Sequence, residues 1–213
     1  MNAPTVFVVD DDPAMRKSLS LLAQSVKLAV ETYETAQEFL AVYDPARPGC
    51  LVLDLRMPGL SGLELQQRLA AKSVPIPIIF ISAHGDLASA VGAMRAGAMD
   101  FLEKPFRGQA LLDRIHQALE KDARQRAGAV SRAETEDLLA TLTPPERCVL
   151  DLMAAGKPYK AIARELGISY KAVEGRRARI MRKMRAENLS ELLRRVLTYR
   201  LTESASPPNA ALG

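Results

Sequence analysis

The chain has 213 residues, 48% of them hydrophobic, which is enough for one large domain or two small ones with real cores. No run approaches the ~18 uninterrupted apolar residues of a membrane span. No basic-then-apolar leader precedes the acidic cluster at Asp10–Asp12, and Cys50 and Cys148 have neither disulfide-dense nor metal-site spacing.

The expectation is therefore a soluble, reduced, cytoplasmic protein without a membrane partner. Its net charge of +4 is split along the chain. Residues 1–120 carry 11 basic and 14 acidic side chains, residues 121–137 balance, and residues 138–213 carry 14 basic against 7 acidic. Only the last part is expected to meet a polyanion.

In chain order, short apolar runs alternate with helical patterns. Val6–Asp10, Val30–Tyr33, Cys50–Asp54, Ile78–Ser82 and Asp100–Leu102 read as strands. Pro13–Ser25, Thr35–Val42, Ser61–Ala71, Asp86–Ala96 and Arg107–Lys121 read as helices. Alternation of this kind predicts an α/β fold, a doubly wound five-stranded parallel sheet covered on both faces. Residues 121–140 lack a long apolar run and read as an exposed linker, helical on both sides of Gly128, with a capping box at Ser131/Glu134.

From Leu142 the pattern is all helical, so a small all-α domain over 141–203 follows the first domain, residues 1–120. Thr143-Pro-Pro-Glu146 is a capped helix start. Gly156 ends that helix, Tyr159–Leu166 is a short second one stopped by Gly167, and Ser169 caps a third that runs to about Arg185. Asn188 opens a fourth, Leu189–Leu201. Two short helices joined through Gly167, the second rich in Arg, make a helix-turn-helix. Val149, Leu152, Ile162, Leu166, Ile168, Val173, Ile180 and Met184 are its expected core. The tail 204–213 is expected to be disordered.

In a crossover sheet, ligands sit at the carboxyl ends of the strands. Three strand runs end there in polar groups: Asp10–Asp12, Asp54 and Ser82. Clustered carboxylates without His or Cys suit a hard cation, and Mg²⁺ is the usual choice beside phosphate. Asp11 would bind it directly and Asp10 through water. Asp54 would add an oxygen and attack a phosphoryl group to give an acyl phosphate. Lys104 is the nearby cation for the other face of that group, and Ser82 offers a hydroxyl to it. Taken singly, an acidic trio at a strand end is a helix cap or a solvated turn, and Lys-Pro is ordinary loop chemistry. Order and spacing carry the reading.

These stretches resemble the receiver domain of two-component response regulators. The motifs are Val-Val-Asp10-Asp11-Asp12-Pro, Leu-Val-Leu-Asp54-Leu-Arg-Met-Pro58-Gly, Ile-Ser82-Ala-His84-Gly-Asp and Asp-Phe101-Leu-Glu-Lys104-Pro105, in the family's order. The resemblance implies that Asp54 accepts phosphate from a sensor histidine kinase and that the Arg56 carbonyl completes the metal shell. Ser82 and Phe101 match the switch pair, Lys104 matches the phosphate-binding lysine, and the Lys104–Pro105 bond is expected to be cis. His84 reads as a loop residue beside the site, and His116 as a helical residue without a role.

On phosphorylation a homodimer is expected through the Asp86–Ala96 helix, with Val91 and Met94 as an apolar patch and Arg95 and Asp100 as reciprocal ion pairs. The other reading turns Val91 and Met94 toward the core and leaves Arg95 as solvent cover.

Leu142-Thr-Pro-Pro-Glu146-Arg-Cys-Val-Leu-Asp-Leu-Met-Ala-Ala-Gly156 with Ala161-Ile-Ala-Arg-Glu-Leu-Gly167-Ile-Ser resembles the LuxR-type helix-turn-helix of FixJ/NarL regulators. That resemblance makes Ser169–Arg185 the recognition helix in promoter DNA. Lys171, Glu174 and Arg176 are the candidate base readers; Arg179, Arg182 and Lys183 are the candidate phosphate contacts. Gly175 stands where relatives carry a larger residue and Arg176 where many have His. RNA polymerase is a candidate further partner. The expectation is a regulator and not an enzyme; a phosphoesterase and an RNA- or protein-binding adaptor are the alternative classes.

Overall fold

The structure is a computed structural model that describes residues 3–82 and 87–205. The chain divides into two compact units, Met1–Ala127 and Gly128–Gly213.

The first unit is built on five parallel strands, β1 (Thr5–Val9), β2 (Ala29–Tyr33), β3 (Gly49–Asp54), β4 (Ile78–Ser82) and β5 (Asp100–Glu103), in the order β2-β1-β3-β4-β5. β1, β3 and β4 are buried along their whole lengths, which is why they read as continuous apolar runs. Alternate residues serve two cores. Phe7, Val9, Leu51, Leu53 and Phe80 pack with Phe39, Leu65 and Ala93 on one face. Val6, Val8, Cys50, Val52, Ile79 and Ile81 pack with Leu19, Leu111 and Ile115 on the other. Each such side chain contributes about 1.5–3 kcal/mol by leaving water. The chain steps outward from β1 to β2 and then returns past β1 to β3, so the strand order reverses between β1 and β3. Doubly wound sheets open their ligand crevice at that point.

Local capping fixes where the helices start. The Asp12 side chain accepts from the Ala14 N–H at 2.8 Å, and Pro13 opens α1 (Pro13–Ser25). Thr35 accepts from the Glu38 N–H at the start of α2 (Ala36–Val42). Ser61 and Glu64 form a capping box on α3 (Gly62–Ala71). A Cβ at Gly62 would run into the backbone carbonyl of Asp54, so only glycine lets α3 begin this close to the end of β3. α4 (Leu87–Arg95) leads into β5.

The expected break near Gly128 does not occur, since α5 runs without interruption from Gly108 to Ala140. A glycine inside an exposed helix costs roughly 1 kcal/mol relative to Ala, too little to end a helix supported on both sides. The Ser131/Glu134 capping box is accordingly absent: the Ser131 carbonyl accepts from the Thr135 hydroxyl within the helix. Nor is the start of the expected linker exposed throughout, although Lys121 and Ala123–Gln125 are. Asp122 is 1% exposed and accepts from the Gly49 N–H at 2.9 Å, while Arg126 grips Asp122 and donates to the carbonyls of Pro45, Ala46 and Arg47.

The second unit contains the end of α5 with α6 (Pro144–Ala154), α7 (Tyr159–Glu165), α8 (Tyr170–Lys183) and α9 (Leu189–Ala205). Gly167 makes the α7–α8 turn at φ +63°. Val149, Ile162, Val173, Ile180 and Met184 are buried as expected. Leu152, Leu166 and Ile168 lie at the margin, and Leu150 and Met153 fill the centre from α6. Glu146, Val149, Leu150 and Met153 follow the i, i+3, i+4, i+7 spacing of one helix face. α9 reaches Ala205, past the expected start of the tail. Residues 206–213 lie outside the described residues.

Candidate functional site

Three sequence-distant side chains, Asp10, Asp54 and Lys104, meet at the carboxyl edge of the sheet, and Ser82 ends a strand at the same edge. Asp10 follows β1, Asp54 ends β3, Ser82 ends β4 and Lys104 follows β5. The Lys104 Nζ lies 2.6 Å from Asp54 Oδ1 and 2.9 Å from Asp10 Oδ2. Asp10 is 0% and Asp54 6% exposed. The second Asp54 oxygen accepts from the Arg56 N–H at 2.9 Å, Asp10 Oδ1 accepts from the Asp12 N–H, and the Lys104 N–H donates to the Ser82 carbonyl. The Lys104–Pro105 peptide is cis.

Burial pushes the Asp54 carboxyl above its ordinary range, and the opposing pull of Lys104 does not fully offset this. For Lys104, burial disfavours the charge, but the hydrogen bonds it donates to Asp54 and Asp10 outweigh it and hold the ammonium above its ordinary value. One cation thus faces two buried carboxylates, and the pocket keeps a surplus of negative charge.

The cation's second partner is Asp10, not its neighbour. The Asp11 side chain is exposed, and its carbonyl, with that of Asp10, accepts from Arg16. Among the described residues no group of three or more His, Cys, Asp or Glu side chains converges as a metal cage. Mg²⁺ needs none: it keeps several waters and takes one or two carboxylates plus phosphate oxygens. Asp10, Asp11, Asp54 and the Arg56 carbonyl offer only hard oxygens at one sheet edge, so the donor set fits that ion.

Ser82 is buried, and Phe101, partly buried, packs on the core that contains Phe7 and Phe80. His84 lies outside the described residues. On α4, Val91 and Met94 are 45% and 44% exposed, whereas Ala90 and Ala93 face the core. Arg95 is exposed as well. Asp100 is already paired within the chain: Arg114 Nε lies 2.7 Å from Asp100 Oδ2, and its other oxygen accepts from the Phe101 N–H.

In the second unit, Ser169 accepts from the Ala172 N–H and starts α8. Val173 and Ile180 point inward. Lys171, Glu174, Ala178, Arg179 and Arg182 are exposed, and Arg176 is half-buried. Arg177 lies over the Tyr159 ring at 5.8 Å. Lys183, expected at a phosphate, is held within the unit. Its Nζ is 2.7 Å from Glu146 Oε2 and 3.0 Å from the Thr141 carbonyl, and Arg179 Nε is 3.2 Å from Glu146 Oε1.

Comparison with known proteins agrees with this arrangement. The family described as response regulator receiver domain matches residues 6–116, and that described as bacterial regulatory proteins, luxR family, matches residues 140–196. The chain is a two-component response regulator of the FixJ/NarL family.

This response regulator is 47% identical to nodulation protein W of Bradyrhizobium diazoefficiens over 89% of the chain and 83% of that protein. It is 44% identical to the transcriptional regulatory protein FixJ of the same organism over 89% of the chain and 92% of that protein. Among solved structures, response regulator StyR superposes with a TM-score of 0.81 at 47% identity, covering 93% of this chain and 100% of that one. Full-length FixJ from B. japonicum gives a TM-score of 0.59 at 39% identity, covering 94% and 99%. No helix among the described residues is long and apolar enough to cross a membrane.

Sequence reasoning missed two charged hubs of this regulator. Asp122 sat in a stretch judged by its low apolar content, although an acid four residues before Arg126 on a helix was a visible signal. The Thr143-Pro-Pro-Glu146 pattern by itself identifies Glu146 only as a helix cap. Its place on the apolar face of α6, three residues before Val149, was the sign that it is buried.

Proposed function

We propose that the chain carries a signal from a sensor histidine kinase to promoter DNA through a single aspartyl phosphate at Asp54. In this reading an Asp54 carboxylate oxygen attacks the phosphorus of a phosphohistidine. The O–P bond forms as the N–P bond breaks, and the ring nitrogen leaves with the electron pair. Asp10, Asp11, Asp54 and the Arg56 carbonyl hold Mg²⁺, which when bound offsets charge on the phosphoryl oxygens. Lys104 supplies fixed positive charge on the other side. The regulator acts in the cytoplasm and turns over no separate substrate.

The new phosphoryl group draws the Ser82 hydroxyl toward it, and Phe101 rotates into the space released. The affected surface contains Val91 and Met94, and two copies pair there, with Arg95 and Asp100 at the edges once Asp100 exchanges Arg114 for its new partner. A two-fold dimer presents two α8 helices to a palindromic promoter site, where RNA polymerase is the further partner. Lys171, Glu174 and Arg176 read bases, and Arg182 neutralises phosphate.

The observation that supports this reading most is the placement of Lys104 Nζ within 2.6 Å of one Asp54 oxygen. The direct test is mass spectrometry of the full chain treated with acetyl phosphate and Mg²⁺. The expected result is a gain of one phosphoryl group that disappears in Asp54→Asn; an undiminished gain in that variant contradicts the assignment.

A further inference from the structure

The basic side chains of α8 are not equivalent. Arg177 is stacked on Tyr159, and Lys171, Arg176 and Arg182 make no ion pair among the described residues. Arg179 and Lys183 converge on one carboxylate from another helix. That carboxylate, Glu146 in the first turn of α6, is 3% exposed and has all its oxygens engaged. Oε2 accepts from Lys183 Nζ at 2.7 Å and from the Thr143 N–H at 2.9 Å, and Oε1 accepts from Arg179 Nε at 3.2 Å. The Lys183 ammonium is held a second time by the Thr141 carbonyl at 3.0 Å. A flexible lysine with two fixed acceptors, one of them a buried charge, gives up much binding energy if it swings outward.

We propose that Glu146 is a positioning residue for DNA binding: it withdraws Lys183 and steers Arg179, so that phosphate neutralisation by α8 falls to the cations it leaves unpaired. The proposal rests on the reading that α8 meets DNA. Glu146 then has two jobs in one side chain. It caps α6 through the Thr143 N–H, and it ties the C-terminal half of α8 to α6, which sets the tilt at which Lys171, Glu174 and Arg176 are presented. It also limits sequence-independent attraction, because each lysine or arginine that reaches a phosphate adds to affinity for any duplex.

The salt dependence of binding separates this role from a purely structural one, since log K falls with log salt at a slope of about −0.9 for each phosphate neutralised. The experiment titrates the full-length protein with a random-sequence duplex over a range of KCl concentrations. Glu146→Gln keeps the size of the side chain and an acceptor for the Thr143 N–H but removes the charge. The expected result is tighter binding to the random duplex and a slope steeper by about 0.9 for each cation released. Lys183→Gln, made with Glu146 intact, is expected to leave the slope unchanged.

An unchanged slope in a folded Glu146→Gln variant overturns the proposal, and so does a slope shallower by about 0.9 in Lys183→Gln. If Glu146→Gln does not fold, judged by its helical circular dichroism, Lys183→Gln decides the matter alone. A wild-type chain that binds no duplex would instead sink the DNA-binding reading itself.

Discussion

The two units carry charge clusters that mirror each other. In the receiver, one ammonium (Lys104) faces two buried carboxylates, Asp10 and Asp54. In the DNA-binding unit, one buried carboxylate (Glu146) faces two cations, Arg179 and Lys183. The first arrangement is short of positive charge and desolvates Asp54, whose carboxyl is pushed by burial above its ordinary range. The second is complete, with every carboxylate oxygen engaged and the acid held at about 2. An incomplete cluster has a reason to take a divalent ion and a phosphoryl group; a complete one holds helices in place.

Breaking the receiver cluster is expected to give the largest effect. Lys104→Met leaves two buried carboxylates facing each other without a counter-charge, and removing one partner of a buried ion pair costs about 3–5 kcal/mol. Urea unfolding of the variant is expected to show a loss of that order. A loss below about 1 kcal/mol would mean that the pocket is far more hydrated than its burial indicates.

Titration sharpens the contrast, because the two acids have opposite signs. The folded value of Glu146 lies at about 2, below its ordinary 4.5, so its contribution is complete above about pH 4.5 and is lost as the pH falls toward 2. The folded value of Asp54 lies above its ordinary one, so this group favours the folded state when protonated and opposes it once the pH has risen through that value. Asp54→Asn is therefore expected to raise the thermal midpoint at pH 7 and to give a smaller gain in mild acid. Glu146→Gln is expected to lower the midpoint at pH 7, with the loss shrinking below pH 4. A gain from Asp54→Asn that grows on acidification contradicts the assigned direction.

The smallest effect concerns Gly175. Apart from the helix's own backbone, the nearest heavy atom to a Cβ there would be the terminus of the flexible Arg179 side chain at 3.8 Å, so no packing contact requires glycine. Gly175→Ala is expected to stabilise the DNA-binding unit by about 1 kcal/mol, seen as a rise in its thermal midpoint. An unchanged or lower midpoint would show that α8 depends on the flexibility of this position.

Most of the fold was legible because its signals are local. The β4 run and the limits of α1 agree with the structure residue for residue, and Thr35, Ser61 and Ser169 each sit at the helix start that their side chains imply. The Lys104–Asp54 contact was legible only because the motifs lie at the ends of strands that a crossover sheet must bring together. The choice of Asp10 over Asp11 as the second partner was not. Consecutive residues leaving a strand point to opposite sides, and a one-residue difference in register decides which is buried. The Asp122–Gly49 bond spans 73 positions, and no periodicity reports a contact of that kind. The uninterrupted α5 is not legible in the sequence because Gly128 has the look of a helix breaker although its local penalty is small.

The account stands on the coupling between Asp54 and DNA. The most direct measurement is a titration of the full-length protein with a duplex identified by genomic footprinting, at fixed salt, with and without acetyl phosphate and Mg²⁺. Tighter binding on phosphorylation in the wild type, absent in Asp54→Asn, is the predicted result. Equal strengthening in both proteins, or none in the wild type, would contradict it.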